Sequence, residues 1–222
     1  MSEAKRILLI GAGGHCLSVL DSLLSSYHYK DIGIVDKKYD MVEVANNIKK
    51  QCTIMNVPIV GNDDDLSKLY EDGYTDAFIT VGSVSDVTIR KKLYKLVKNI
   101  GFHIPNIIDK TGIISSHAIC GEGIFVGKKA VVNANTQIGN CAIINTASVI
   151  EHECVVGDFV HVAPGSIVCG NVRIGSETHI GAGCVVKQGI EIGKETMIGA
   201  GSVVVKNIGS YVTAYGNPCK EV

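Results

Sequence analysis

From residue 126 onward an aliphatic side chain recurs at every sixth position: Val126, Val132, Ile138, Ile144, Ile150, Val156, Val162, Val168, Ile174, Ile180, Val186, Ile192, Ile198 and Val204. Ile and Val fill about one position in six of an ordinary chain, so an unbroken series at this spacing is not an effect of composition. Two positions earlier the residue is small or β-branched, as at Thr136, Ala142, Ser148, Cys154, Ser166 and Thr178. Gly follows the aliphatic residue at Gly127, Gly139, Gly157, Gly175, Gly181, Gly193 and Gly199. Each unit reads as a short strand and a turn, with two side chains pointing inward and glycine expected to accommodate the turn. One coil cannot bury its own inward face, so coils must stack. Three units per coil make residues 18 apart neighbours at about 4.8 Å. Residues 114–204 then make about five coils of a parallel β-helix, and the tail from Asn207 to Val222 leaves the pattern.

The first half has other periods. Apolar runs at residues 6–10, 32–35, 57–60 and 77–81 read as strands. Residues 15–26, with Leu17, Leu20, Leu23 and Leu24 on one side, read as a helix, as do residues 86–100. Asp63-Asp-Asp65 offers an N-cap and an acidic first turn for a helix between them. Alternating strands and helices predict a parallel sheet with crossover helices. The expected division is a Rossmann-like α/β domain over residues 1–110 and the β-helix over residues 111–222.

Charge narrows the function class. The chain has 21 basic and 22 acidic residues, spread out, and so lacks the basic footprint of a nucleic-acid binder. The start of the chain is too short in apolar residues for a signal peptide or a membrane span, which leads to an expected cytoplasmic location. Eight cysteines occur without a C-x-x-C pair; reduced thiols are expected, with no zinc site.

Four strings carry a narrower likeness: Gly11-Ala-Gly-Gly-His15 after the first strand, Ile34-Val-Asp36, Thr88-Ile-Arg-Lys-Lys92, and Asn145-Thr-Ala-Ser-Val-Ile-Glu-His-Glu-Cys154. With the hexapeptide repeat they resemble the left-handed β-helix sugar acetyltransferases, the family of sialic acid O-acetyltransferases and bacillosamine-type nucleotide-sugar N-acetyltransferases. The resemblance implies a homotrimer, acetyl-CoA as co-substrate, and a first domain that binds a nucleotide-linked amino sugar. A dinucleotide fingerprint would want glycine where Cys16 stands, which argues against NAD.

His152 lies two residues past the inward Ile150, at a corner of the coil, between Glu151 and Glu153. A histidine beside a carboxylate suits proton removal near neutral pH, and the resemblance implies the same role of general base. Glu153 is assigned to orient it; a solvated corner histidine is the alternative. Asn145 either binds acceptor, fixes His152, or is a turn asparagine. His161 precedes the inward Val162 and points outward; the family pattern implies contact with the acetyl thioester. His179, 18 residues on, reads as a surface ladder residue. Cys154 occupies the small inward slot, so it reads as core and not as an acyl-cysteine nucleophile. Gly170, one coil from His152, is a candidate backbone donor to the oxyanion.

On the acceptor side, the amides of Gly13 and Gly14 suit a diphosphate at a helix start, His15 suits the sugar or its phosphate, Asp36 a ribose or base edge, and Lys37 a phosphate. The resemblance places acetyl-CoA in a groove between subunits, near the backbone of Gly181, Ala182, Gly199 and Ala200, with Lys206, Lys220 and the Gly216-Asn-Pro218 turn close to it. The leading expectation is N-acetylation at C4 of a UDP- or GDP-linked amino-deoxy sugar by direct transfer. Sialic acid O-acetylation, an inactive β-helix scaffold and an NAD-dependent oxidoreductase are the competing readings.

Overall fold

The computed structural model describes residues 5–37, 44–45, 48–49 and 52–222, the two short strands 44–45 and 48–49 by their backbone alone. The chain divides into two compact units: Met1–Gly82 with Thr88–Pro105, and Ser83–Val87 with Asn106–Val222. The repeat reading put the division at 110, and the segment 83–87 groups with the second unit. Among the described residues, no helix is long and apolar enough to cross a membrane.

In the first unit, strands β1 (Arg6–Ile10), β2 (Asp31–Val35), β3 (Val44–Ala45), β4 (Ile48–Lys49), β5 (Thr53–Ile54), β6 (Val57–Gly61) and β7 (Asp76–Ile79) alternate with helices α1 (Gly14–Ser26), α2 (Leu66–Glu71) and α3 (Thr88–Ile100). The main sheet runs β5-β6-β2-β1-β7, parallel except for the β5–β6 pair. Its interior strand β1, between β2 and β7, is apolar throughout Ile7–Ile10 and fully covered, as a parallel strand with helices on the sheet requires. The buried face of α1 is Cys16, Val19, Leu20 and Leu23, whereas Leu17 and Leu24 are each 48% exposed. The expected leucine face is thus rotated: successive residues lie 100° apart, and the set at i, i+3, i+4, i+7 that includes Cys16 fits one stripe. A 3₁₀ turn at Asp63–Asp65 precedes α2. The turn is capped by Asn62, whose side chain accepts from the Asp64 N–H while the Asp65 carboxylate accepts from the Asn62 N–H; Asp65 stands at the N-cap of α2, as the sequence suggested, without a side-chain bond to that helix.

The second unit is a β-solenoid of two-residue strands in three parallel ladders. One face holds Ile113–Ile114, Val131–Val132, Val149–Ile150, Ile167–Val168, Val185–Val186 and Val203–Val204, which makes six coils where the repeat count suggested five. The repeat begins one coil earlier, through Ile108, Ile114 and Cys120, and the cysteine at an Ile/Val position interrupts the pattern. Within each strand the first side chain points out and the second in. Backbone N–H groups donate to carbonyls 17 residues on, for example Val149 to Ser166 and Ile167 to Cys184. The small inward slot has a polar purpose. Thr178 Oγ1 donates to the Gly193 carbonyl at 2.7 Å, Ser166 Oγ to Gly181 at 2.8 Å and Cys184 Sγ to Gly199 at 3.0 Å, each satisfying a turn carbonyl of the next coil inside an apolar prism. A C-terminal hairpin, Thr213–Gly216 with Cys219–Glu221, covers the last coil and pairs its edge.

The turns differ from expectation in one respect. Left-handed backbone does recur every six residues, but at Lys129, Asn135, Cys141, Ala147, Glu153, Phe159, Asn171, Glu177 and Glu195, and at Gly123, Gly165, Gly183, Gly189 and Gly201. The glycines that follow the aliphatic residues have ordinary φ. They are needed for close approach: a Cβ at Gly127, Gly139, Gly157, Gly175, Gly181 or Gly193 would stand 2.4–2.9 Å from a backbone nitrogen of the next coil. Gly175→Ala is therefore expected to cost about 1–3 kcal/mol by overpacking. Gly183→Asn, left-handed but surrounded by open space, should cost under about 1 kcal/mol. Urea unfolding of the two variants compares them, and equal losses would refute the crowding explanation.

Candidate active site

Polar side chains leave the solenoid at its corner turns and at outward strand positions such as His161 and His179. At the corner after Val149–Ile150, His152 Nδ1 lies 3.1 Å from Glu153 Oε2, both side chains more than half exposed. Of the two flanking glutamates it is Glu153, left-handed at φ +60°, whose carboxylate reaches the ring. A carboxylate only accepts, so Nδ1 carries a proton toward Glu153. One coil on, Gly170 lies beneath the imidazole: a Cβ there would stand 2.7 Å from both Cε1 and Nε2. The Asn171 N–H donates to the His152 carbonyl at 2.9 Å, and among the described residues the Gly170 N–H enters no backbone bond. Cys154 is fully buried, its Sγ 3.2 Å from the Cys169 carbonyl; burial pushes its thiol above the ordinary value, as the core reading expects.

A second polar group sits at the corner after Ile143–Ile144. The Asn145 amide contacts His161 Nε2 at 3.1 Å, and His161 Nδ1 contacts the Ser83 carbonyl at 2.8 Å. His179 packs edge-on against His161, ring centroids 4.9 Å apart, and burial lowers its pKa. Asn145 and His152 are therefore not brought together in one chain: they occupy opposite edges of the face that carries Val149, roughly 15–20 Å apart at ~3.3 Å per residue. Ser83 contributes only a main-chain oxygen, and no sequence signal could have singled it out.

Along the Asn145 corner the upper coils carry only glycine and small residues. Gly165, Gly183 and Gly201 are left-handed and face open space, with Ala182 and Ala200 exposed beside them. Their spacing of 18 was the available signal. The Gly181 N–H donates to the Ile198 carbonyl and its own carbonyl accepts from Ser166, so its backbone is already used. The amides of Ala182 and Ala200 enter no such backbone bond among the described residues.

In the first unit, Gly11 is left-handed at φ +108° and crowded by Val81, so the fold itself requires it. Gly13 and Gly14, at the start of α1, are exposed, with nothing within 4 Å of a Cβ. His15 follows, half-buried, with Gly82 against its Cβ. The Asp36 carboxylate accepts from the Ala12 N–H at 2.6 Å and thereby ties down the glycine loop. Lys37 lines a cavity of about 510 Å³ with Asn62, Asp63, Ser67, Lys92 and Leu96, which sequence reasoning had not assembled. Burial, then the charges of Asp36 and Asp64, raises the Asp63 pKa, and Lys92 opposes this.

Residues 6–97 match the PglD N-terminal domain family, and residues 153–188 and 171–206 match the bacterial transferase hexapeptide family (six repeats). A histidine-to-asparagine variant of perosamine N-acetyltransferase from Caulobacter crescentus, in complex with CoA and GDP-perosamine, is 32% identical with a TM-score of 0.88, over 97% of this chain and 96% of that one. The acetyltransferase domain of PglB from Neisseria gonorrhoeae, in complex with acetyl coenzyme A, is 30% identical with a TM-score of 0.88, over 99% of this chain and 100% of that one. WeeI from Acinetobacter baumannii, at 23% identity, 99% and 100% coverage and a TM-score of 0.81, shares the fold.

All eight cysteines are free. Titration of the native protein with an aromatic disulfide should label exposed Cys52 first. Cys154 and Cys16, the latter with its thiol pushed up to about 11 by burial, should react only on unfolding. Rapid labelling of native Cys154 would restore the acyl-cysteine route.

Proposed function

Because this chain belongs to the left-handed β-helix sugar N-acetyltransferases with a PglD-type first domain, we propose that it moves the acetyl group of acetyl-CoA directly to the C4 amine of a UDP- or GDP-linked amino-deoxy sugar, with His152 as general base. The observation that carries this reading is the His152–Glu153 pair, with Nε2 above Gly170. The neutral amine attacks the thioester carbonyl carbon. His152 Nε2 takes the proton released as the C–N bond forms, while Glu153 supports the imidazolium. The Gly170 N–H serves the oxyanion. Collapse expels the CoA thiolate, which recovers the proton from His152.

The first unit is the acceptor domain in this reading. Gly13 and Gly14 need no Cβ space for the fold, which leaves close approach by a diphosphate at the α1 start as their purpose. The cavity beside Lys37 takes the nucleoside. The bare corner at Ala182 and Ala200 takes the pantetheine arm, and a relative holding both CoA and GDP-perosamine supports the pairing of substrates. Such substrates place the reaction in the cytoplasm.

A homotrimer completes the site. The outward positions of one face, Ile113, Val131, Val149, Ile167, Val185 and Val203, are aliphatic on all six coils, and Ile113 remains 61% and Ile167 42% exposed. His152 borders one edge of this stripe and Asn145 the other, so packing between copies brings the two corners together.

Thiol release is to be followed with acetyl-CoA and a panel of GDP- and UDP-linked 4-amino sugars, their 3-amino isomers and free sialic acid. Turnover of a 4-amino nucleotide sugar is expected, with kcat lower by about 10²–10⁴ in His152→Ala; turnover of sialic acid alone would overturn the reading. Gly170→Ala should depress kcat about 10–100-fold in a normally folded protein by displacing the imidazole. In sedimentation, Ile167→Asp is expected to yield inactive monomers; an active monomer would remove the shared site.

A further inference from the structure

Asn145 stands in a column where the neighbouring coils have Gly127, Ala163, Gly181 and Gly199. The coils crowd this position, since a Cβ on Gly181 would come within 2.5 Å of the Ala200 nitrogen. A long polar side chain here is a departure from the column, and its bonds are fully determined. The Thr146 N–H donates to Asn145 Oδ1 at 2.8 Å, which leaves the NH₂ group facing His161 Nε2 at 3.1 Å. An amide nitrogen only donates, so Nε2 accepts and carries no proton. On the far side of the ring, Nδ1 stands 2.8 Å from the Ser83 carbonyl, which only accepts, so Nδ1 holds the proton. His179 packs edge-on against the ring, and burial lowers its pKa.

We infer that His161 is locked as the neutral Nδ1–H imidazole and works as a positioning residue: its Nε2 lone pair aims the Asn145 amide, and the second N–H of Asn145, not a nitrogen of His161, meets the oxygen of the bound ligand. The inference departs from the expectation that His161 itself contacts the thioester. It rests on the acetyltransferase reading only for the identity of that oxygen, the thioester carbonyl of acetyl-CoA. A ring with both nitrogens held by the protein neither accepts a proton from the amine nor donates to the carbonyl, which leaves His152 as the base.

Long-range proton–nitrogen correlation spectra of the full chain, labelled at histidine and assigned with His161→Gln, read the tautomer directly. His161 is expected to show a protonated Nδ1 and a bare Nε2, unchanged from pH about 8 to about 5. An Nε2–H ring, or an imidazolium near neutral pH, overturns the lock. Asn145→Asp replaces the donor facing Nε2 with a carboxylate oxygen, so His161 should become an imidazolium near neutral pH, with acetyl-transfer kcat about 10–100-fold lower. A ring that stays neutral in this variant, or an undiminished kcat, refutes the inference. The wild-type spectrum decides the tautomer even if the variant does not fold. A locked Nδ1–H ring in a protein that turns over no amino sugar supports the lock and overturns only the acetyltransferase reading.

Discussion

The backbone ladder between coils governs the second unit. Through most of the solenoid residue i donates to the carbonyl of residue i+17, so a coil there spans 18 residues and turns three corners; onto the last coil the offset shortens, as from Met197 to Val212. Stacked coils approach so closely that at two of the three corners the position after the inward aliphatic residue is mostly glycine, and at every corner a neighbouring column is left-handed. The same closeness makes the interior too narrow for large pairs. A small residue therefore accompanies each aliphatic one, and where it bears a hydroxyl or thiol it satisfies a turn carbonyl that water cannot reach.

The corners bring neighbouring polar side chains into contact, as do the outward strand positions that hold His161 and His179. His152 occupies a turn whose next residue is forced left-handed. That geometry brings the Glu153 carboxylate onto Nδ1, and it is adopted here by a residue that would ordinarily avoid it. The column that would crowd the imidazole is glycine at residue 170, so the ring rests on backbone. At the opposite edge of the same face the upper coils carry only glycine and small residues, which leaves the main chain at Gly165, Gly183 and Gly201 open. In the first unit the logic is similar on a different scaffold: Asp36 and Gly11 shape the loop before α1, while Gly13 and Gly14 keep it open.

Much of this was legible from residue order. The period of six, the inward aliphatic column, the strand–helix alternation of the first half and the core position of Cys154 all follow from side-chain chemistry at fixed spacing. The readings that failed were those in which two effects share one residue type. Glycine serves both left-handed turns and close approach, and spacing does not distinguish them. Two adjacent leucines, Leu23 and Leu24, look like one helical face, and the angle between them permits only one to be buried.

Sequence alone determined the repeat and the change from an α/β half to a β-solenoid half, because periodic burial is written into neighbouring residues. Tertiary structure alone decided that a main-chain oxygen of Ser83 closes on His161, and it fixed the left-handed turn that brings the Glu153 carboxylate onto His152. The Ser83 contact joins residues 78 positions apart, whose meeting is set by the path of the chain and not by any pattern along it.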